Sequence, residues 1–210
     1  KFREMAIDCW GTDETAVIYI TIGNPLSQLS DASEIGQHLQ VIRNHAEDTT
    51  GRIEDIVAGC PNRVLDIVKV FGGTVVIAGP LLSSTDADDG GKTVIAVFDA
   101  MHAVGGLLRS NFAFTAGVAL EQTINVLRFT TVSPGFESLG PAINTARALS
   151  IAAPAAPMVV ATEKFVQRFQ RECDALSPEH QVSIGAGESW RLRDLGSVRV
   201  HLVTQGPPGL

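Results

Sequence analysis

KVFGGT, residues 69–74, sets a lysine beside a Gly-Gly pair that suits a two-residue turn with positive φ. Such a turn either only reverses the chain or stands where a functional side chain would otherwise sit. GGKT at 90–93 has the ending of a phosphate-binding loop, whose backbone amides cradle phosphates while its lysine reaches them. That motif requires a glycine five residues before Gly91, and Asp86 stands there. Asp86, Asp88 and Asp89 are oxygen donors for a cation, but the ligand spacing of a calcium loop and its terminal glutamate are missing, so a solvated loop is expected. His38 and His45 share a helix face without a third ligand, which suits a surface or dimer-rim position. Cys9, Cys60 and Cys173 form no CxxC pair and have no histidine at metal spacing, so inert thiols are expected rather than a zinc site or a disulfide framework.

The elements around these residues follow from hydrophobic period. TAVIYITI at 15–22 is a buried-strand run, stopped by the turn residues of GNPLSQLSD. From Asp31 or Ser33 to about Ala58, apolar residues fall at spacings of four and three (Ile35, Leu39, Ile42, Ala46, Thr49, Ile53, Ile56), one stripe of a long helix closed by Cys60-Pro61-Asn62. RVLDIVKV and TVVIAG form a hairpin about Gly72-Gly73. A helix is predicted from Thr93 to about Leu108, and a strand pair over 111–120 and 123–130. VSPGFESLGPA reads as a loop, with helix over 143–150, strand over 157–161, helix over 163–176 and a closing hairpin about Asp194-Leu195-Gly196. Hairpins force antiparallel pairing and the helices are long enough to cover a sheet face, which gives an α+β sandwich.

Bulk composition excludes several classes. The 210 residues suit one domain. With 45% hydrophobic and 19% charged residues and no apolar run near the roughly 20 residues of a bilayer span, no membrane contact by this domain is expected. The 23 acids against 16 bases, net −7, disfavour nucleic acid and anionic membrane as partners. No charged-then-apolar leader is visible, so compartment is weakly constrained and an intracellular setting is the expectation.

In this order, the elements and their motifs resemble the catalytic domain of class III adenylate and guanylate cyclases. YITIGNPL stands where the family has its first Asp-containing strand, and Lys69 to Thr74 stands at its Lys-x-x-Gly-Asp hairpin, with Ala78-Gly79-Pro80 ending it. TAGVALEQ is similar to the Gly-Ile-His-x-Gly strand, FESLGPAINTARAL to the Tyr-Asp-x-x-Gly-x-x-Val-Asn-x-x-x-Arg segment, and VRVHLV to the terminal strand. The resemblance implies a ferredoxin-like antiparallel sheet with helices packed on it. It also implies one cyclase homology domain over 15–205, between an N-terminal extension (1–14) and a C-terminal tail (206–210).

The family's reaction, attack of a ribose 3′ hydroxyl on the α-phosphorus, uses divalent metals held by two aspartates, because hard anionic oxygens offset dehydration of an ion such as Mg²⁺. The resemblance puts Thr21 and Gly73 at those positions. It assigns purine contacts to Lys69 and Glu137, and ribose or transition-state contact to Asn144, which otherwise reads as a helix-start residue. The arginine expected four residues later is Ala148. Arg147 is adjacent, but one residue turns a helix by about 100°, so its guanidinium leaves from another face. Glu121 replaces the motif's second glycine and adds negative charge where a triphosphate would approach. The expectation is therefore an inactive cyclase-like domain serving as a pairing or scaffold module, the partner being another cyclase-like domain or a larger assembly. No cofactor is expected, with Mg²⁺ entering only through a metal-competent partner. The rival expectation is the non-metal half of a heterodimeric adenylate cyclase.

Overall fold

The computed structural model describes residues 6–22, 51–59, 65–71, 74–80, 97, 100, 114–129, 134–154, 158–173 and 183–204. Of Cys9, Glu137 and Cys173 only the backbone is described. The readings that fall on 23–50, Cys60, Gly72-Gly73, the 81–96 loop with its aspartates, and most of the 93–108 helix lie outside the described residues.

The buried run read at 15–22 is the second half of a longer strand, β1 (Ala6–Ile22). A helix, α1, covers residues 51–58. It is followed by β2 (Asp66–Phe71) and β3 (Thr74–Gly79), then β4 (Phe114–Phe129) and β5 (Pro134–Leu139). Next come α2 (Pro141–Ala152), β6 (Met158–Thr162) and α3 (Glu163–Cys173). The chain closes with β7 (Ser183–Ile184), β8 (Glu188–Leu192) and β9 (Gly196–Thr204). No helix among the described residues is long and apolar enough to cross a membrane.

The strands make one sheet in the order β2-β3-β1-β4-β6-β9-β7, with β5 on β4 and β8 on β9. Every pairing is antiparallel except β4 with β6, which are joined through the crossover that carries α2. β1 is apolar at successive positions because both faces of its second half are covered. Ala16, Ile18 and Ile20 face a core shared with Ile53 of α1 and with Phe165 and Phe169 of α3. Val17 and Tyr19 face Ala142 and Ala146 of α2. The two phenylalanines are four apart on α3, with ring centroids 6.5 Å apart and planes within 4°. Burying each stabilises by about 1.5–3 kcal/mol. Thr162, immediately before α3, accepts the Phe165 N–H on its hydroxyl at 3.4 Å.

Two sequence readings are corrected here. The stretch read as a strand pair over 111–120 and 123–130 is the single strand β4, paired with β1 almost along its length. Glu121 and Gln122 between the two halves are polar but not turn residues, and the strand accommodates them because its margin there is open to solvent. The stretch read as the loop VSPGFESLGPA contains β5, which begins at Pro134. A proline is tolerated at the first position of an edge strand, where no ladder N–H is required.

Candidate functional site

Glycines set how closely α2 lies on the sheet. At Gly117 of β4 a Cβ would stand 1.9 Å from the Ala146 carbonyl oxygen and 2.8 Å from Leu149 Cβ, so only glycine lets the helix settle there. The helix starts from Gly140 at φ 126°, with Pro141 in its first turn and no side-chain cap. Asn144 is therefore not the cap; its own N–H donates to the Gly140 carbonyl at 3.1 Å. Asn144 and Arg147 are three apart, hence on one helical face, and both are exposed.

That face borders a cavity of about 380 Å³. β2 contributes Val68 and Lys69 together, because a register shift between Ile67 and Lys69 breaks the alternation that would send adjacent side chains to opposite faces. Tyr19, Val76 and Ile143 supply apolar wall, and Ser138 and Leu139 come from β5. Behind that wall Ser138 donates to Asn125 Oδ1, and Asn125 Nδ2 donates to the Thr12 hydroxyl at 3.1 Å. The Thr15 and Thr123 hydroxyls meet at 2.8 Å, and Thr15 also donates to the Pro80 carbonyl at 3.3 Å, just after the cis Gly79–Pro80 bond. Asn125 is fully buried, so these partners offset the cost of removing its amide from water.

The structure thus brings Lys69, Asn144 and Arg147 to one cavity. Ala148 is elsewhere: it packs with Leu149, Val160, Leu192 and Val200 beneath the β8–β9 hairpin. The rotation that separates 147 from 148 is what turns the guanidinium toward the cavity. Glu137 pairs through its backbone with Val126 on β4, and the cavity's described β5 residues are its neighbours Ser138 and Leu139. Glu121 is half-buried and accepts the Thr145 hydroxyl at 3.4 Å, which ties it to α2.

Thr21 lies near the end of β1, opposite Thr74 on β3 and Thr115 on β4. Its hydroxyl meets Ser150 Oγ at 2.8 Å, and the Thr115 hydroxyl meets the same oxygen at 3.3 Å. Ser150 donates its one proton to the Thr115 carbonyl at 3.1 Å, which leaves its oxygen to accept from both threonines. Three neutral hydroxyls thus satisfy one another. A hard dication needs anionic oxygens, so this donor set does not fit the metal that the fold family implies. Among the described residues no cluster of three His, Cys, Asp or Glu could hold a metal ion.

Sequence reading missed Tyr19, Val68, Ser138, Thr115 and Ser150. The available signal was Tyr19, the one tyrosine of the chain, within an aliphatic strand.

The fold is that of the class III adenylate and guanylate cyclase catalytic domains, an α+β arrangement of a mixed sheet with helices packed on it. The adenylyl cyclase CyaB from P. aeruginosa is 12% identical, with a TM-score of 0.70, over 97% of this chain and 99% of that one. The guanylate cyclase domain of RhGC from Catenaria anguillulae, solved in complex with GTP, is 10% identical, with a TM-score of 0.68, over 93% and 98%. The non-canonical dimeric guanylyl cyclase domain of the RhoGC fusion protein from Blastocladiella emersonii is 10% identical, with a TM-score of 0.65, over 93% and 98%. No protein-family model and no curated protein matches the sequence. At these identities the likeness carries the fold, and chemistry rests on this chain's own residues.

Proposed function

We propose that the chain is a cyclase homology domain without catalysis of its own, working as a structural or pairing module with a protein partner, most directly another cyclase-like domain. The observation that carries this reading is the hydroxyl cluster of Thr21, Ser150 and Thr115. In-line attack on a phosphorus needs the nucleophile activated and the developing charge neutralised, and in this family both fall to metals held by carboxylates. Thr21 offers a hydroxyl already engaged, Gly73 carries no side chain and Ala148 carries no charge. Purified chain with ATP or GTP and Mg²⁺ or Mn²⁺ is expected to form no cyclic AMP or cyclic GMP above a Lys69→Ala/Asn144→Ala control. Turnover above that control overturns the reading. Pairing is checked by sedimentation of the chain with and without a cyclase domain carrying both metal carboxylates.

The convergence of Lys69, Asn144 and Arg147 on one cavity favours a second reading, the non-metal half of a heterodimeric adenylate cyclase. Arg147 would then have to serve for the arginine missing at 148. Reconstitution separates the readings: joint activity that Lys69→Ala abolishes while assembly persists supports the second, and assembly without activity supports the first.

A further inference from the structure

We propose that the outer edge of β8 takes an extended acidic segment of a partner protein as an added strand, held by main-chain hydrogen bonds and by Arg191 and Arg199. This goes beyond the pairing role and does not depend on it, since neither arginine lines the cavity or bonds to the hydroxyl cluster. β8 pairs with β9 alone, so among the described residues its outer edge presents main-chain N–H and C=O groups with no strand beside them. Residues 196–199 of β9 lie past the reach of β6, whose pairing begins with Thr162 opposite Val200, so the hairpin stands out from the sheet. Such an edge is a template for strand addition, in which the backbone supplies affinity and alternate side chains supply selectivity.

Alternate side chains of the hairpin make the selection. On one face Trp190, Leu192, Val198 and Val200 pack together with Leu149 of α2. The other face sets Ser189 opposite Arg199 and Arg191 opposite Ser197. The two serine hydroxyls meet at the surface at 2.7 Å, one donating to the other, which leaves one proton for an incoming acceptor. Arg199 is 61% exposed and reaches Glu163 of α3 at 3.3 Å, whereas Arg191 is exposed and has no ion pair among the described residues. A strand laid against β8 sets its own alternate side chains on this face, where carboxylates meet guanidinium forks and cations are repelled. The chain carries net −7, so an acidic segment is repelled by the surface in general and attracted here.

The test is fluorescence anisotropy of a labelled peptide of alternating Glu and Val, long enough to span the five residues of β8, titrated with the 210-residue chain. Saturable binding is expected, together with slowed amide exchange over Glu188–Leu192. Arg191→Glu is expected to weaken the peptide about tenfold or more, and Arg199→Glu by less because Glu163 already draws on Arg199. Thermal unfolding of the Arg191→Glu chain should be unchanged, since that side chain is exposed. No binding at millimolar peptide overturns the inference. Equal binding of a Lys-Val peptide overturns the selection for acid, and equal binding of a backbone N-methylated Glu-Val peptide overturns strand addition. Self-association of the chain alone that Arg191→Glu abolishes assigns the edge to a second copy and overturns the acidic partner. None of these results touches the absence of turnover, which the nucleotide assay reads separately.

Discussion

The two ends of α2 are built in opposite ways. In its first two turns Asn144 and Arg147 are exposed and border a cavity. Less than one turn past Arg147, Ser150 is 1% exposed and its oxygen is engaged with Thr21 and Thr115. One helix on one sheet thus keeps a cavity-facing edge at its start and closes its end against the strands. Separate side chains sustain the two, so the walls of the cavity do not depend on the hydroxyls that meet at the closed end.

Both ends depend on the seat of the helix at Gly117, and the largest expected effect breaks them together. Gly117→Val places a branched side chain where even a Cβ would meet the Ala146 carbonyl at 1.9 Å, and backbone cannot swing aside as a flexible side chain does. The destabilisation should reach or exceed the top of the about 1–3 kcal/mol usual for overpacking. Urea unfolding reads it, and a change below about 0.5 kcal/mol would mean that α2 does not sit on β4 at this residue.

Ser150→Ala separates the two ends. It leaves the Thr21 hydroxyl, now half-buried against Ser150, without that partner, at an expected cost of about 1–3 kcal/mol. Urea unfolding reads the cost. A change below about 0.5 kcal/mol would show that the Thr21 hydroxyl does not depend on Ser150.

Most of the fold was legible because period and punctuation agree, as in the apolar residues at 15–22 and the Gly-Gly between two β-branched runs, while the helix read from 143 starts at Pro141. β5 was not, since Pro134-Gly135 carries turn chemistry and becomes a strand only through its pairing with β4. In the site, Lys69 and Asn144 stood in motifs and line one cavity, whereas Arg147, expected to leave from another helix face, lines the same cavity. Ser150 and Thr115 were not legible, because a serine inside a helix and a threonine in a strand say nothing alone; their bond forms between residues 35 apart in sequence. Val68 was hidden by the register shift, which no residue type announces.

Thr21→Asp sharpens the contrast further. A carboxylate placed between Ser150 and Thr115 gains hydroxyl donors but has no second anionic ligand at Gly73 to complete a metal pair. Millimolar Mg²⁺ is expected to raise the melting temperature of this variant by less than about 2 °C, which for a chain of this size is under about 1 kcal/mol. A larger Mg²⁺-specific rise would show that one carboxylate suffices to reopen the closed end.

The smallest effect belongs to the opposite face of the sheet and serves as the control. Glu172 on α3 has one oxygen paired with Arg168 and the other, Oε2, buried without a hydrogen-bond partner. Burial raises its pKa above the usual carboxylate value, Arg168 draws it down through a hydrogen bond and charge, and Glu14 of β1 pushes it up. A carboxyl whose folded pKa lies above its unfolded value favours the native state below the unfolded pKa, and that contribution is lost as pH rises through the folded one. Stability relative to Glu172→Gln, which stays neutral throughout, should therefore decline from mildly acidic to neutral pH. Urea midpoints of the two proteins across that range decide it: parallel curves would place Glu172 at its ordinary ionisation.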